Sequence, residues 1–174
     1  MTPAQRRNFD RLLNPRHIAF VGGRDAITAI NEARRRGFAG QMWAVNPTRP
    51  DLAGVPCFAS LDDLPDAPDA VYLAIPAQAA VLAVAQLAAM GAGGVVCYTA
   101  GFKEAGHSGA KAEAALKRAN GDMALIGPNC YGVINYLGNA ALWSFEHGGA
   151  SPGYLSLIHI SEPTRLVHSS RMPS

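Results

Sequence analysis

Two adjacent glycines, Gly22 and Gly23, follow the apolar run His17-Ile-Ala-Phe-Val21 and precede Arg24, Asp25 and Ala26. Glycine lets backbone amides close on an anion, and the free N–H groups and dipole of a following helix favour negative charge, so a strand turning into a helix here has the chemistry of a phosphate site. The same pair also serves as a tight βα turn with no ligand. Farther on, Asn46 closes a second apolar run and Arg49 lies three residues beyond. A dinucleotide site of the nicotinamide kind asks for Gly-x-Gly-x-x-Gly in the first turn and an acid at the end of the second strand to take the ribose hydroxyls; neither is present. A cation there suits a ribose that carries a phosphate, which leaves NADP or coenzyme A (CoA). Read without a ligand, Arg49 is a solvated loop charge.

Other reactive side chains offer less. His17, His107 and His147 belong to no motif, and Cys130 has no His or Asp partner within reach of a sequence argument, which makes it a packed thiol. Cys57, Cys97 and Cys130 are odd in number and far apart, without a Cys-x-x-Cys pair. That spacing speaks against a disulfide framework or a metal site and fits a reducing, cytoplasmic setting.

The elements that must position these residues alternate. Thr2 and Pro3 open a helix with Phe9, Leu12 and Leu13 on one face, stopped by Asn14-Pro15. Strands are predicted from His17, over Gln41–Val45, over the almost wholly apolar Ala70–Ile75, over Gly94–Thr99 and over Met123–Ile126. Between them, Asp25 is expected to cap a helix with Ala26, Ile27, Ile30 and Ala33 on its apolar stripe, closed by Arg34–Arg36 and Gly37. Ser60 caps a brief turn, Ala77–Met90 is a helix without an internal breaker, and Ser108 opens another that ends at Asn120-Gly121. Such alternation means right-handed βαβ units, and the fold class is α/β: a Rossmann-like, doubly wound parallel sheet in a single domain. Gly22-Gly23, Asn46-Pro47, Ile75-Pro76, Thr99-Ala100-Gly101 and Gly127-Pro128-Asn129 then all fall at the carboxyl ends of strands, where such sheets bind ligands.

With 174 residues, 49% of them hydrophobic, the chain holds one core. Fifteen basic against thirteen acidic residues show no nucleic-acid footprint, and no apolar run is long enough to span a membrane or to act as a signal peptide.

Five segments, in order, carry a resemblance: Asn14-Pro-Arg-His-Ile-Ala-Phe-Val-Gly-Gly, Trp43-Ala-Val-Asn-Pro, Leu73-Ala-Ile-Pro-Ala, Tyr98-Thr-Ala-Gly-Phe and Ile126-Gly-Pro-Asn-Cys-Tyr-Gly-Val-Ile-Asn. Over roughly residues 10 to 154 the chain resembles the N-terminal CoA-binding domain of the ADP-forming acyl-CoA synthetases, the family of acetate–CoA ligase and the succinyl-CoA synthetase α subunit. The resemblance implies that the turn from Gly22 through Gly23 and Arg24 to Asp25 holds the CoA phosphates. It also implies that Asn46 and Arg49 meet the nucleotide end, that Ile75, Pro76, Tyr98, Thr99 and Ala100 line the path of the pantetheine arm, and that Asn129 faces a phosphoryl group. The family's Gly-Ala-Ser with a longer loop is replaced here by Gly-Gly-Arg-Asp-Ala, with Arg24 available to compensate for lost amide contacts. In the family, acid, CoA and ATP give acyl-CoA, ADP and phosphate through an acyl phosphate and a phosphohistidine; the latter lies in a later domain, and the partners implied are downstream domains or an ATP-grasp subunit.

The organisation expected is therefore an N-terminal helix over 1–13, the CoA-binding domain over 14–150, and a truncated linker with a non-native tail over 151–174. From Leu155 the string Leu-Ser-Leu-Ile-His-Ile-Ser-Glu-Pro-Thr-Arg-Leu resembles translated sequencing adapter. The fragment is expected to bind CoA and to catalyse nothing alone. Alternatives are a stand-alone regulatory module that binds CoA and an NADP oxidoreductase, for which no catalytic side chain offers itself. Resequencing the coding DNA beyond codon 154 separates enzyme from module: a continuing frame with a second α/β domain marks the enzyme, a stop the module.

Overall fold

The computed structural model describes residues 1–146 and the backbone strand Ile158–Ser161; His147 and the rest of the expected linker and tail lie outside the described residues. Helix α1 (Pro3–Leu13) begins as predicted, with the Thr2 hydroxyl accepting from the Gln5 amide and the Gln5 side chain accepting from the Thr2 amide. Strand β1 (His17–Gly22) feeds α2 (Arg24–Arg35), and β2 (Gln41–Val45) follows. Next come the short strands β3 (Asp51–Leu52) and β4 (Val55–Phe58), a 3₁₀ turn at Leu61–Asp63, β5 (Ala70–Ala74) and α3 (Ala77–Met90). Strand β6 (Gly94–Cys97), α4 (His107–Asn120) and β7 (Ala124–Ile126) complete the alternation. A hairpin, β8 (Gly132–Asn135) and β9 (Ala140–Trp143), stands apart with β10 (Ile158–Ser161).

The main sheet runs β3-β4-β2-β1-β5-β6-β7, parallel except for the β3–β4 hairpin at one edge. Strand order therefore reverses between β1 and β5, which is the crevice where doubly wound sheets take ligands. Successive side chains of each strand go to opposite faces. Ile18, Phe20, Tyr72 and Val96 pack with α1, α2 and the β8–β9 hairpin, whereas Ala19, Val21, Val71, Leu73, Val95 and Cys97 pack with α3 and α4. The near-continuous apolar strands expected of a sheet covered on both faces follow from this arrangement.

Several expectations need correction. Asp25 does not cap α2: Gly23 occupies the cap position without a side-chain hydrogen bond, and Asp25 sits in the first turn, where its charge still favours the helix dipole. Helix α4 starts at His107, one residue before Ser108. Strands β5 and β6 stop at Ala74 and Cys97, short of Ile75 and Thr99; Pro76 brings no N–H with which β5 could continue its ladder to β1. The β3–β4 and β8–β9 hairpins were not foreseen. Strand β10 falls inside the stretch set apart from Leu155 on; it pairs with β8 through backbone groups that any sequence supplies, so the pairing does not bear on the origin of that stretch.

At the edge of the sheet opposite the crevice, one carboxylate gathers three segments. Asp69 accepts from Arg11 Nε of α1 at 2.6 Å, from Arg16 Nε at 2.8 Å and from the Arg16 amide at 3.0 Å, while its own N–H donates to His17 Nδ1. His17 in turn stacks on Trp43 at 4.6 Å, which accounts for this histidine structurally. Burial alone would raise the Asp69 pKa, but the hydrogen bonds from Arg16 and Arg11 outweigh it and hold the carboxyl far below the usual aspartate range. Its stabilising effect is thus complete above about pH 4, the range of a free aspartate, and is lost as the pH falls toward the lowered value. Asp69→Asn is expected to cost about 3 kcal/mol, the low end for removing one partner of a buried ion pair, and to flatten the loss of stability between about pH 4 and 2. Urea melts across that range check both.

Candidate functional site

The crevice is narrow by construction. Gly22 has φ +145° and lies against β5 so closely that a Cβ there would sit 2.5 Å from the Ala74 carbonyl oxygen. Its glycine is therefore demanded by the sheet itself. Gly23 differs: a Cβ there would meet nothing within 4 Å, because its backbone faces open space. Asn46 ties the neighbouring loop to this turn. Its Nδ2 donates to the Gly22 carbonyl at 2.7 Å, and its Oδ1 accepts from the Thr48 and Arg49 amides, each at 2.9 Å. An aspartate could not make the first of these bonds, so an amide stands where a nicotinamide site would place its acid.

Two openings flank the end of β5. One, about 440 Å³, is lined by Val21, Gly22, Gly23, Val45, Asn46, Pro47, Ala74, Ile75, Pro76 and Ala79. The other, about 420 Å³, is lined by Asp25, Ala74, Ile75, Pro76, Tyr98, Thr99, Ala100, Asn129 and Tyr131. Ala74, Ile75 and Pro76 form the ridge they share, so the two make one groove along the carboxyl edge of the sheet. On the far side the Thr99 hydroxyl donates to the Ile75 carbonyl at 2.7 Å, and the Asn129 amide donates to the Thr99 carbonyl at 3.0 Å, which holds the Gly127-Pro128-Asn129 loop over the end of β6. Tyr72 donates to Ser144 Oγ at 2.8 Å, and Ser144 donates to the Tyr131 carbonyl at 2.7 Å, so the same loop is also fixed from the β9 side.

Of the residues nominated from sequence, Gly22, Gly23, Asn46, Ile75 and Pro76 come together at the first opening, and Asp25, Ile75, Pro76, Tyr98, Thr99, Ala100 and Asn129 at the second. The exposed side chains of Arg24 and Arg49 line neither; both lie at the rim, Arg24 at the start of α2 and Arg49 in the loop after β2. Asp25 is on the opposite side of the ridge from Gly22. Sequence reading did not nominate Ala79, in the first turn of α3, or Tyr131, although Tyr131 adjoins the Asn129-Cys130 pair that it did single out. The thiols are inert: Cys130 is buried, with its S–H directed at the Cys97 and Ile126 carbonyls, and burial pushes Cys97 up to about 11. Burial, and next the Asp51 charge, raise Cys57 as well. Tyr98 is raised by burial first and then by the charge of Asp25. Among the described residues no cluster of metal-binding side chains occurs and no helix is long and apolar enough to cross a membrane.

Helices α2, α3 and α4 all start at this rim, and none of the three carries a side-chain cap. Unpaired amides at such starts are donors for anions. Fold and site together define a doubly wound nucleotide-binding domain whose groove crosses the switch point. The profile of the family described as CoA binding domain matches residues 16–136, and the chain belongs to that family. It is 37% identical over 153 residues to a trans-feruloyl-CoA synthase from an unknown prokaryotic organism, covering 84% of this chain and 22% of that one. It is 34% identical over 131 residues to an ADP-forming acetate–CoA ligase of Archaeoglobus fulgidus, covering 72% of this chain and 19% of the ligase. The apo dinucleotide-forming acetyl-coenzyme A synthetase 1 of Ca. Korarchaeum cryptofilum superposes with a TM-score of 0.72 at 27% identity, covering 78% of this chain and 31% of that one. The chain thus spans about a fifth of the length of these curated relatives.

The contrast between the glycines is testable in urea melts. Gly22→Ala is expected to cost about 3 kcal/mol or more through backbone overlap and unfavourable φ, whereas Gly23→Ala, which meets no neighbour but sits at φ −122° and ψ −112°, costs only the backbone strain of about 1–2 kcal/mol. Asn46→Asp sets a carboxylate against the Gly22 carbonyl and is expected to cost about 2 kcal/mol.

Proposed function

We propose that the chain binds CoA along this groove, as the CoA-binding part of an ADP-forming acyl-CoA synthetase. The observation that carries the reading is the groove itself, crossing the β1/β5 switch point with open backbone at Gly23 and the uncapped start of α2 on one flank. In this reading the amides after Gly22 and Gly23 take the pyrophosphate, helped by the rim cation Arg24. Asn46 shapes the turn, and the Arg49 guanidinium takes the ribose phosphate, an anion suited to its fork of donors. The pantetheine arm crosses the ridge at Ile75 and Pro76 and passes Tyr98, Thr99 and Ala100, so that the thiol emerges near Asn129. CoA is then a substrate whose thiol this chain presents to downstream domains or an ATP-grasp partner subunit, the phosphohistidine lying in a later domain. In this reading Asn129 and its neighbouring amides stabilise the phosphate that leaves as the CoA thiol attacks the acyl carbon of an acyl phosphate. Three free cysteines support a reducing, cytoplasmic setting.

Isothermal titration of the chain tests this reading. CoA is expected to bind about tenfold more tightly than dephospho-CoA and more tightly than NADP, and Arg49→Ala is expected to erase the difference between CoA and dephospho-CoA. Absence of heat with CoA overturns the reading; equal affinity for dephospho-CoA overturns the role of Arg49 alone.

A further inference from the structure

Asp25 is the one ionised side chain on the lining of the opening beyond the ridge. Its chain neighbour Arg24 stays at the outer rim, while the Asp25 carboxylate lies across the ridge from Gly22 and Gly23. The opening on the Gly23 side has no charged side chain on its lining, and the helix start beside it offers backbone amides. Other acids near the rim already have donors: Glu104 accepts from the Gly101 and Phe102 amides at 2.7 and 3.2 Å, and Glu113 accepts from Lys117 at 2.6 Å. The Asp25 carboxylate has no hydrogen bond and no ion pair among the described residues. Its charge reaches across the lining, where it is, after burial, the next cause of the raised Tyr98 phenol.

We infer that Asp25 is a positioning residue for the pantetheine arm: its carboxylate accepts a hydrogen bond from one of the arm's neutral donors, and its charge keeps the phosphates from crossing the ridge. On the CoA reading, on which this rests, the arm passes over Ile75 and Pro76 into the opening that Asp25 lines. A carboxylate covered by a ligand loses water, a loss offset only by a new donor. The arm carries two amide N–H groups and a hydroxyl, and no charge. Ionised phosphate brings acceptors and further negative charge, which repel the carboxylate. A bond from a neutral donor to an ionised acceptor is about twice as strong as one between neutral groups. CoA is thereby given one direction along the groove, with its diphosphate at Gly23 and its thiol toward Asn129, because the reverse sets phosphate against Asp25. Asp25 thus belongs to the arm rather than to the phosphates, where the family resemblance places it.

Calorimetric titration of the chain and two variants with CoA and with 3′-phospho-ADP, the nucleotide half of CoA without its arm, tests the role. The unaltered chain is expected to bind CoA about tenfold more tightly than 3′-phospho-ADP. Asp25→Ala is expected to weaken CoA about tenfold and to leave 3′-phospho-ADP within about twofold. Asp25→Asn keeps a neutral acceptor and is expected to weaken CoA only about threefold. This split between whole ligand and nucleotide half is one that damage to α2 or to the turn would not produce. Equal weakening of both ligands overturns the role of Asp25, as does unchanged or tighter binding of CoA by Asp25→Ala; in each case CoA still binds, and the CoA reading stands. Failure of the unaltered chain to bind CoA overturns both.

Discussion

The approach of Gly22 to the Ala74 carbonyl is the constraint on which the rest of the molecule depends. Two parallel strands that diverge in connection, one leading to β2 and the other to β6, have to lie side by side here with no side chain between them. Only a residue without Cβ permits it, and its extended positive φ also aims the chain into α2. The groove is the space left above that contact. Its floor is therefore as rigid as the sheet, and its shape is set before any ligand arrives.

A second device works at the opposite edge. Asp69 binds α1, the approach to β1 and the start of β5 into one unit through charged hydrogen bonds. Both strands that make the crevice are thus held at both ends, by a missing side chain above and by an ion cluster below. The loop after β7 is pinned on two sides as well, by Thr99 and by the Tyr72–Ser144 chain. Little ordering remains to be done on binding, which is how a shallow groove reaches useful affinity.

Much of this was legible in the sequence, and the reasons are local. The alternation of apolar strands with helices, the uninterrupted helix Ala77–Met90 and the small residues at strand ends are signals carried by neighbours in the chain, and they lead directly to the doubly wound sheet. What escaped depends on partners far apart. The two-residue strand Asp51–Leu52 is too short to show a period, and the β8–β9 hairpin is defined by packing on α2. Asp25 reads as a helix cap because its type and place suit one, yet the turn at Gly23 takes that position and sends the carboxylate to the far side of the ridge. The absence of an acid after β2 was visible; its structural reason, the Asn46 bond to Gly22, was not.

The three helices that begin at the rim without side-chain caps have one more consequence. Attraction toward anions there arises in large part from oriented peptide groups, which neither take up nor release protons in the ordinary range and cannot swing away as arginine side chains do. The pull is consequently built into the backbone: constant across physiological acidity, tolerant of surface substitutions, and removable only by unravelling the helix starts themselves.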